Sequence, residues 1–377
     1  MYKKIVPDLF SQAFCLFITA MLLSCNSNES KVTAFLPAVD TVVIKPPYMI
    51  MAQQFTDSTL PAEIKKNIAY IESMPFDGMF IHVQDSWKVM YGKALSYDEI
   101  YNQLSVLKGA FTIFKYNYLY VFISFPGDLW NDTAWKITAE NFGKMAKASR
   151  AVGFKGIVYD NEEYQPNKWL NYGEVYRNLK YNLPQHRDKT MLRGRQVMEA
   201  MVAEFPNLEV FNFHGPYLSE PETDAANIMK DQACGYNCKE LLGPFFVGMV
   251  QGKGAAATVI DGGEVYQYRT KEDFTISYDW RKHGIASNET NSWFITDTIR
   301  INWARDVQLS FGVYNLTWKP AYPMSAAIMS STLENALRTT DKYVWYWTEE
   351  DSWFIKGKMQ QAWIDTVRAV RKRVKGE

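Results

Sequence analysis

The sequence predicts an α/β fold, a single (β/α)8 barrel with loop insertions. From Tyr48 onward, short runs rich in Val, Ile, Phe and Tyr alternate with longer stretches of helical spacing, the pattern of parallel βα units. About eight such units follow one another with no break in composition and no repeat of 20 to 50 residues. Chain length agrees, since roughly 330 residues follow position 46, enough for a barrel of ~250 residues with extra loops. The expected organisation is therefore a leader at 1–24, a tether at 25–45 and the barrel at 46–377.

The expected strands are 48–52, 79–83, 119–125, 156–160, 209–213, 257–261, 307–311 and 343–346. Each is a short β-branched or aromatic run bounded by turn residues. Between them, apolar residues at helical spacing predict helices over 61–73 (with Asp57 and Ser58 as cap candidates), 97–107, 138–152, 192–205 and 324–338. An open doubly wound sheet is the competing architecture. Gly252-Lys253-Gly254-Ala255-Ala256-Ala257 superficially matches a dinucleotide fingerprint, but it leads into a strand rather than opening a helix, so no nucleotide cofactor is expected.

The stretch Gly153-Phe154-Lys155-Gly156-Ile157-Val158-Tyr159-Asp160-Asn161-Glu162-Glu163-Tyr164 is an apolar strand that ends in acids. Carboxylates are costly in a core, and the C-terminal rim of a barrel gives them solvent and company. Side chains alternate along a strand, so Val158, Asp160 and Glu162 share one face and Ile157 and Tyr159 the other. With Ile157 and Tyr159 against the helices, Asp160 and Glu162 point into the mouth. Two carboxylates that close repel, which raises one pKa and readies it as a general acid. A helix-capping acidic loop is the bland alternative. A second β-rich run, Ala257 to Asp261, ends in a carboxylate and continues through Gly262-Gly263 to Glu264, so Asp261 or Glu264 is placed to face the first pair across the mouth; a plain Asp-Gly-Gly turn is the alternative.

The residues around Gly156 resemble the fourth-strand signature of chitinase-like glycoside hydrolases, an acid ladder ending in the catalytic Glu. By position Gly156 falls on the ladder's glycine, Asp160 on its last aspartate and Glu162 on the proton donor, while Lys155 and Val158 stand where its first two aspartates would be. Asn161-Glu162 is also similar to the Asn-Glu pair ending the fourth strand in the large retaining glycosidase clan. The resemblance implies Glu162 as proton donor, with Asp160, Glu264 or Glu349 as its partner.

The stretch Thr340 to Trp353 looks like the last strand of barrel glycosidases, in which a Trp floors the sugar site; Trp347 is the match, and Glu349 shares its parity. His82, Gln84, Asn212 and His214, with Glu163 and Tyr164 beside the acids, lie at expected strand ends and join Asp261, Trp347 and Glu349 as substrate-binding candidates. No Gly-x-Ser-x-Gly elbow, phosphate loop or His-Glu-x-x-His occurs, and with four His no metal site is expected.

Lys plus Arg (41) balance Asp plus Glu (41), which gives no field for nucleic acid, and the 15% aromatic content suits stacking on sugar faces. Lys3 and Lys4, an apolar run from Ala13 to Leu23, and Leu22-Leu23-Ser24-Cys25 have the layout of a secretory signal. The last four residues resemble a bacterial lipobox, which implies a diacylglyceryl group on Cys25 and a lipid-anchored protein of the bacterial cell envelope. In that oxidising compartment Cys234 and Cys238 are expected to pair as a local disulfide. The expected partner is a carbohydrate, either hydrolysed by paired carboxylates or bound without turnover.

Overall fold

A computed structural model describes residues 47–53, 56–122, 127–162, 169–172, 180–219, 240–290, 292–315, 324–349 and 352–376. Parallel strands β1 (Tyr48–Gln53), β2 (Gly78–Ile81), β3 (Tyr118–Phe122), β4 (Gly156–Asp160), β5 (Glu209–Asn212), β6 (Thr258–Asp261), β7 (Val307–Leu309), β8 (Phe311–Tyr314) and β9 (Tyr343–Thr348) are ordered 7-6-5-4-3-2-1-9-8. Only Ser310 separates β7 from β8. They are successive halves of one strand, the first paired with β6 and the second with β9, so the ring closes as an eight-stranded barrel. Across the break, Ser310 N donates to Asp261 O at 2.8 Å and Gly312 N to Gly263 O at 3.0 Å, while Ser310 Oγ donates to Tyr343 O at 2.8 Å.

Alternation along the strands sorts two cores. Ile50, Ala52, Phe80, Tyr118, Tyr120, Val158, Phe211, Phe213, Ile260, Tyr343 and Trp345 fill the lumen. Ile157, Tyr159, Val210 and Val259 face the helix layer. Each such large apolar side chain contributes roughly 1.5–3 kcal/mol by leaving water. Gly312 is required here, because a Cβ would sit 2.5 Å from Trp345 Cζ2 and block the indole from lying across the lumen.

The helices differ in extent from the periodicity. The expected 61–73 helix is two pieces, α1 (Pro61–Lys66) and α2 (Ile68–Ile71), broken at Asn67, whose φ −105° and ψ 13° are not helical. α3 (Tyr97–Ser105) follows the expected 97–107, with Ser96 accepting from Glu99 N as its cap. α4 (Asp132–Ala151) and α5 (Leu183–Glu204) begin well upstream of the expected starts, where Asn131 and Asn182 cap them through Ala134 N and Gln185 N. α6 (Leu242–Gly252) has no polar stripe and is buried almost all round, so it carries no amphipathic period to read. α7 (Lys271–Asp279) passes into a π-helical turn, Trp280–Gly284, and α8 (Ala326–Thr339) and α9 (Gln361–Lys375) follow. Among the described residues no helix is long and apolar enough to cross a membrane.

The π-helical turn delivers Arg281, fully buried, to the seam of the barrel. Its Nε donates to Asp261 Oδ2 at 2.9 Å, and one terminal nitrogen reaches Asp261 Oδ1 at 2.7 Å, Asp261 O at 3.0 Å and Ser310 O at 3.1 Å. One guanidinium thus ties the end of β6 to the residue where the partner strand changes.

Candidate functional site

At the C-terminal end of β4, Asp160 has no exposed surface. It accepts a hydrogen bond from Tyr120 Oη in the lumen, and its Oδ1 accepts from Glu162 N at 2.9 Å. Buried this way, Asp160 presents no surface to solvent, unlike Glu162 two residues on. This differs from the expectation that Asp160 and Glu162 share the open mouth: Asp160 shapes the turn that presents Glu162.

Between them, Asn161 turns sideways to clamp the neighbouring strand. Its Nδ2 donates to His214 O at 2.7 Å and its Oδ1 accepts from His214 N at 2.9 Å. This fixes the chain just past β5 and sets the imidazole, whose Nδ1 lies 2.8 Å from Tyr217 Oη. Burial pushes the Tyr217 phenol well above its usual range, so it stays protonated. The β5–β6 ladder continues past its last strand residues, with Gly262 N on Asn212 O at 2.7 Å and Glu264 N on Phe213 O at 3.1 Å. Gly263, at φ +59°, makes the intervening turn.

These three strand ends converge. His214 Nε2 stands 3.4 Å from Glu264 Oε2 and 3.7 Å from Glu162 Oε1. One ligand-type atom from each of Glu162, His214 and Glu264 lies within 4.8 Å of the others. The side chains are graded in access: Glu162 is 30% exposed, Glu264 7% and His214 1%. No metal site was expected from the sequence motifs, but this donor set of two carboxylates and an imidazole is of a kind that holds a divalent cation.

Aromatic rings form the floor. Phe213 stacks on Trp345 at 4.3 Å and 8°, and Trp345 Nε1 donates to Gly262 O at 2.8 Å. Trp347 meets Phe213 edge-on at 6.3 Å, and Tyr266 packs against Trp345 at 5.8 Å and Tyr314 at 5.2 Å. Trp347 and Tyr266 are half-buried.

The remaining expected residues fall elsewhere. Asp261 is an exception to the sugar-binding expectation: both its oxygens are taken by Arg281 on the helix side of β6. Asn212 lies between Phe211 and Phe213, both lumen residues, so its buried side chain points to the helix layer rather than the mouth. His82 is buried at the end of β2, 3.3 Å from Thr59 Oγ1, and burial pushes its imidazole down to about 4. Gln84 is exposed, with its backbone N bonded to Gln103 of α3. Glu349 is half-buried, one residue past β9. Glu163, Tyr164, Cys25, Cys234 and Cys238 lie outside the described residues. Sequence reasoning missed Tyr120, Tyr217 and Tyr266, none of which carries a local signal, and met Asn161 only as the neighbour of Glu162.

Fold and site together define a closed (β/α)8 barrel with a carboxylate pair and a histidine at the C-terminal mouth. Among solved structures, the chain is similar in fold to the exo-β-1,4-mannosidase Op5Man5 from Opitutaceae bacterium strain TAV5, at TM-score 0.49 and 11% identity, over 87% of this chain and 60% of the mannosidase. It is similar also to active domain 2 of a thermostable chitinase from Pyrococcus furiosus (TM-score 0.45, 9% identity, 88% and 95% covered). A third is the 3-keto-D-glucoside 4-epimerase YcjR from E. coli (TM-score 0.40, 14% identity, 86% and 98% covered). No protein-family profile and no curated protein matches the chain. Barrels of this kind host many chemistries, so function has to be argued from the site.

Proposed function

We propose that the chain hydrolyses glycosidic bonds with retention of configuration, using Glu162 as acid and base and Glu264 as nucleophile. The observation that carries this reading is the approach of the two carboxylates to within 4.8 Å across His214 at the barrel mouth. Carboxyls about 5–5.5 Å apart fit a retaining pair, whereas an inverting pair stands about 6.5–9.5 Å apart to admit water. Glu162, the more exposed of the two, protonates the glycosidic oxygen as the bond from C1 breaks, and Glu264 bonds to C1. Water then attacks C1, giving its proton to Glu162 and releasing Glu264. His214 lies beside both carboxylates at the mouth, and Trp347 and Tyr266 offer ring faces to the sugar.

The substrate is a neutral or weakly charged glycan met at the cell envelope, where the Leu22-Leu23-Ser24-Cys25 signal supports a lipid anchor. The test is a screen of oligosaccharides and aryl glycosides, with product stereochemistry followed by NMR. Glu162→Gln is expected to lose roughly 10²–10⁴-fold in rate on unactivated glycosides and less on aryl glycosides with good leaving groups. Glu264→Gln loses turnover on both. Inversion, or full activity of Glu264→Gln, refutes the assignment, and binding without turnover by the wild type favours a glycan-binding protein. Equal fatty-acid labelling of Cys25→Ala and wild type removes the anchor.

A further inference from the structure

We infer that Glu162, His214 and Glu264 form a binding site for one divalent transition-metal cation of the zinc class. The donors are what such an ion takes, imidazole nitrogen and carboxylate oxygen. Two ligands at ~2.0–2.1 Å from zinc, with a tetrahedral angle between them, stand about 3.4 Å apart. The His214 Nε2 to Glu264 Oε2 separation is 3.4 Å and that to Glu162 Oε1 is 3.7 Å. Closing the third edge, which is within 4.8 Å, needs only a small movement of the partly exposed Glu162 side chain.

Support behind the ligands is already built. Tyr217 Oη sits 2.8 Å from His214 Nδ1, so an Nδ1–H donating to the phenol leaves the Nε2 lone pair directed at the carboxylates. Asn161 pins the His214 backbone through two hydrogen bonds, Asp160 fixes Glu162 N, and Phe213 O fixes Glu264 N. A cation also offsets two carboxylates gathered around a buried imidazole, in a place where the nearby Arg281 is already committed to Asp261. A cation bound here occupies the lone pairs that the acid and the nucleophile need, so it inhibits glycoside hydrolysis; that consequence, though not the site, rests on the proposed function.

The experiment uses the full chain stripped with chelator and titrated with zinc chloride, read by calorimetry and by thermal shift. The wild type is expected to take up one zinc and to melt at higher temperature. Glu264→Gln and His214→Gln should weaken uptake at least tenfold, and Tyr217→Phe, which touches only the far side of the imidazole, about 10–100-fold. Glu162→Gln, at the most exposed of the three positions, serves if a buried variant fails to fold. No uptake up to about 1 mM zinc, the weak end of specific binding, overturns the site. Uptake unchanged in all four variants places the ion elsewhere and overturns it equally. Hydrolysis in chelator without zinc uptake leaves the function standing and removes the site; zinc uptake with no glycan hydrolysed in chelator does the reverse.

Discussion

Arg281→Met tests whether Asp261 belongs to the framework of the barrel or to its chemistry. Both partners are buried, at 0% and 1% exposure, and the guanidinium makes four contacts of 2.7–3.1 Å to Asp261 and Ser310. Methionine fills much of the volume but leaves Asp261 with Gly263 N, at 3.1 Å, as its remaining donor among the described contacts. Breaking one side of a buried ion pair costs about 3–5 kcal/mol, because the surviving charge is left uncompensated. The double variant Asp261→Leu with Arg281→Met removes both charges and should recover much of that loss. Equilibrium urea denaturation, followed by near-ultraviolet circular dichroism, gives the three free energies. A single Arg281→Met variant within about 1 kcal/mol of wild type refutes the reasoning, as does a double variant no better than the single.

Tyr120→Phe removes the phenol that donates to buried Asp160, and should cost about 1–3 kcal/mol, as removing one partner of a buried hydrogen bond does; an unchanged denaturation midpoint speaks against it. His82 supplies a pH dependence. Its imidazole is held at about 4 when folded against 6.5 when unfolded, so the unfolded chain takes up the proton first as pH falls. Its contribution is complete above pH 6.5 and is lost between 6.5 and 4, by about 3 kcal/mol in all, and His82→Gln should flatten the stability slope in that window. Denaturation at about pH 7 and about pH 4.5 measures it, and equal slopes in variant and wild type would falsify the assignment. Cys234 and Cys238 should be linked in freshly isolated protein, and two free thiols by peptide mapping would exclude the link.

Strand parity made much of the barrel legible. Val158 inward with Ile157 and Tyr159 outward is what alternation requires, and the same count placed Asp160 and Glu162 at one strand end. Parity ran out where strands ended. Asn212 follows the outward face, yet His214, two residues on, is drawn back to the mouth by Asn161, a side chain from another strand. Asp261 looked like a mouth carboxylate because its partner Arg281 lies twenty residues away on a π-helical turn that leaves no local signal. Asp160 shows what reading acids in a row leaves out, because depth is not written in the sequence: it lies fully buried against Tyr120 while Glu162 is partly exposed. α6 escaped notice for the opposite reason, since a helix buried on every side has no periodicity to display.

The pairing of β1 with β9 over their full six residues, Tyr48 opposite Tyr343 through Gln53 opposite Thr348, bears on how the protein folds. β1 can pair early with β2, its neighbour in sequence, but its other edge stays open until β9, at the far end in chain order, docks on it. That edge is apolar, Met49 to Ala52, and an unpaired strand of this kind is a template for wrong partners. Ring closure is therefore a long-range event of the slow kind, and the chain is most exposed to aggregation while β1 waits for β9.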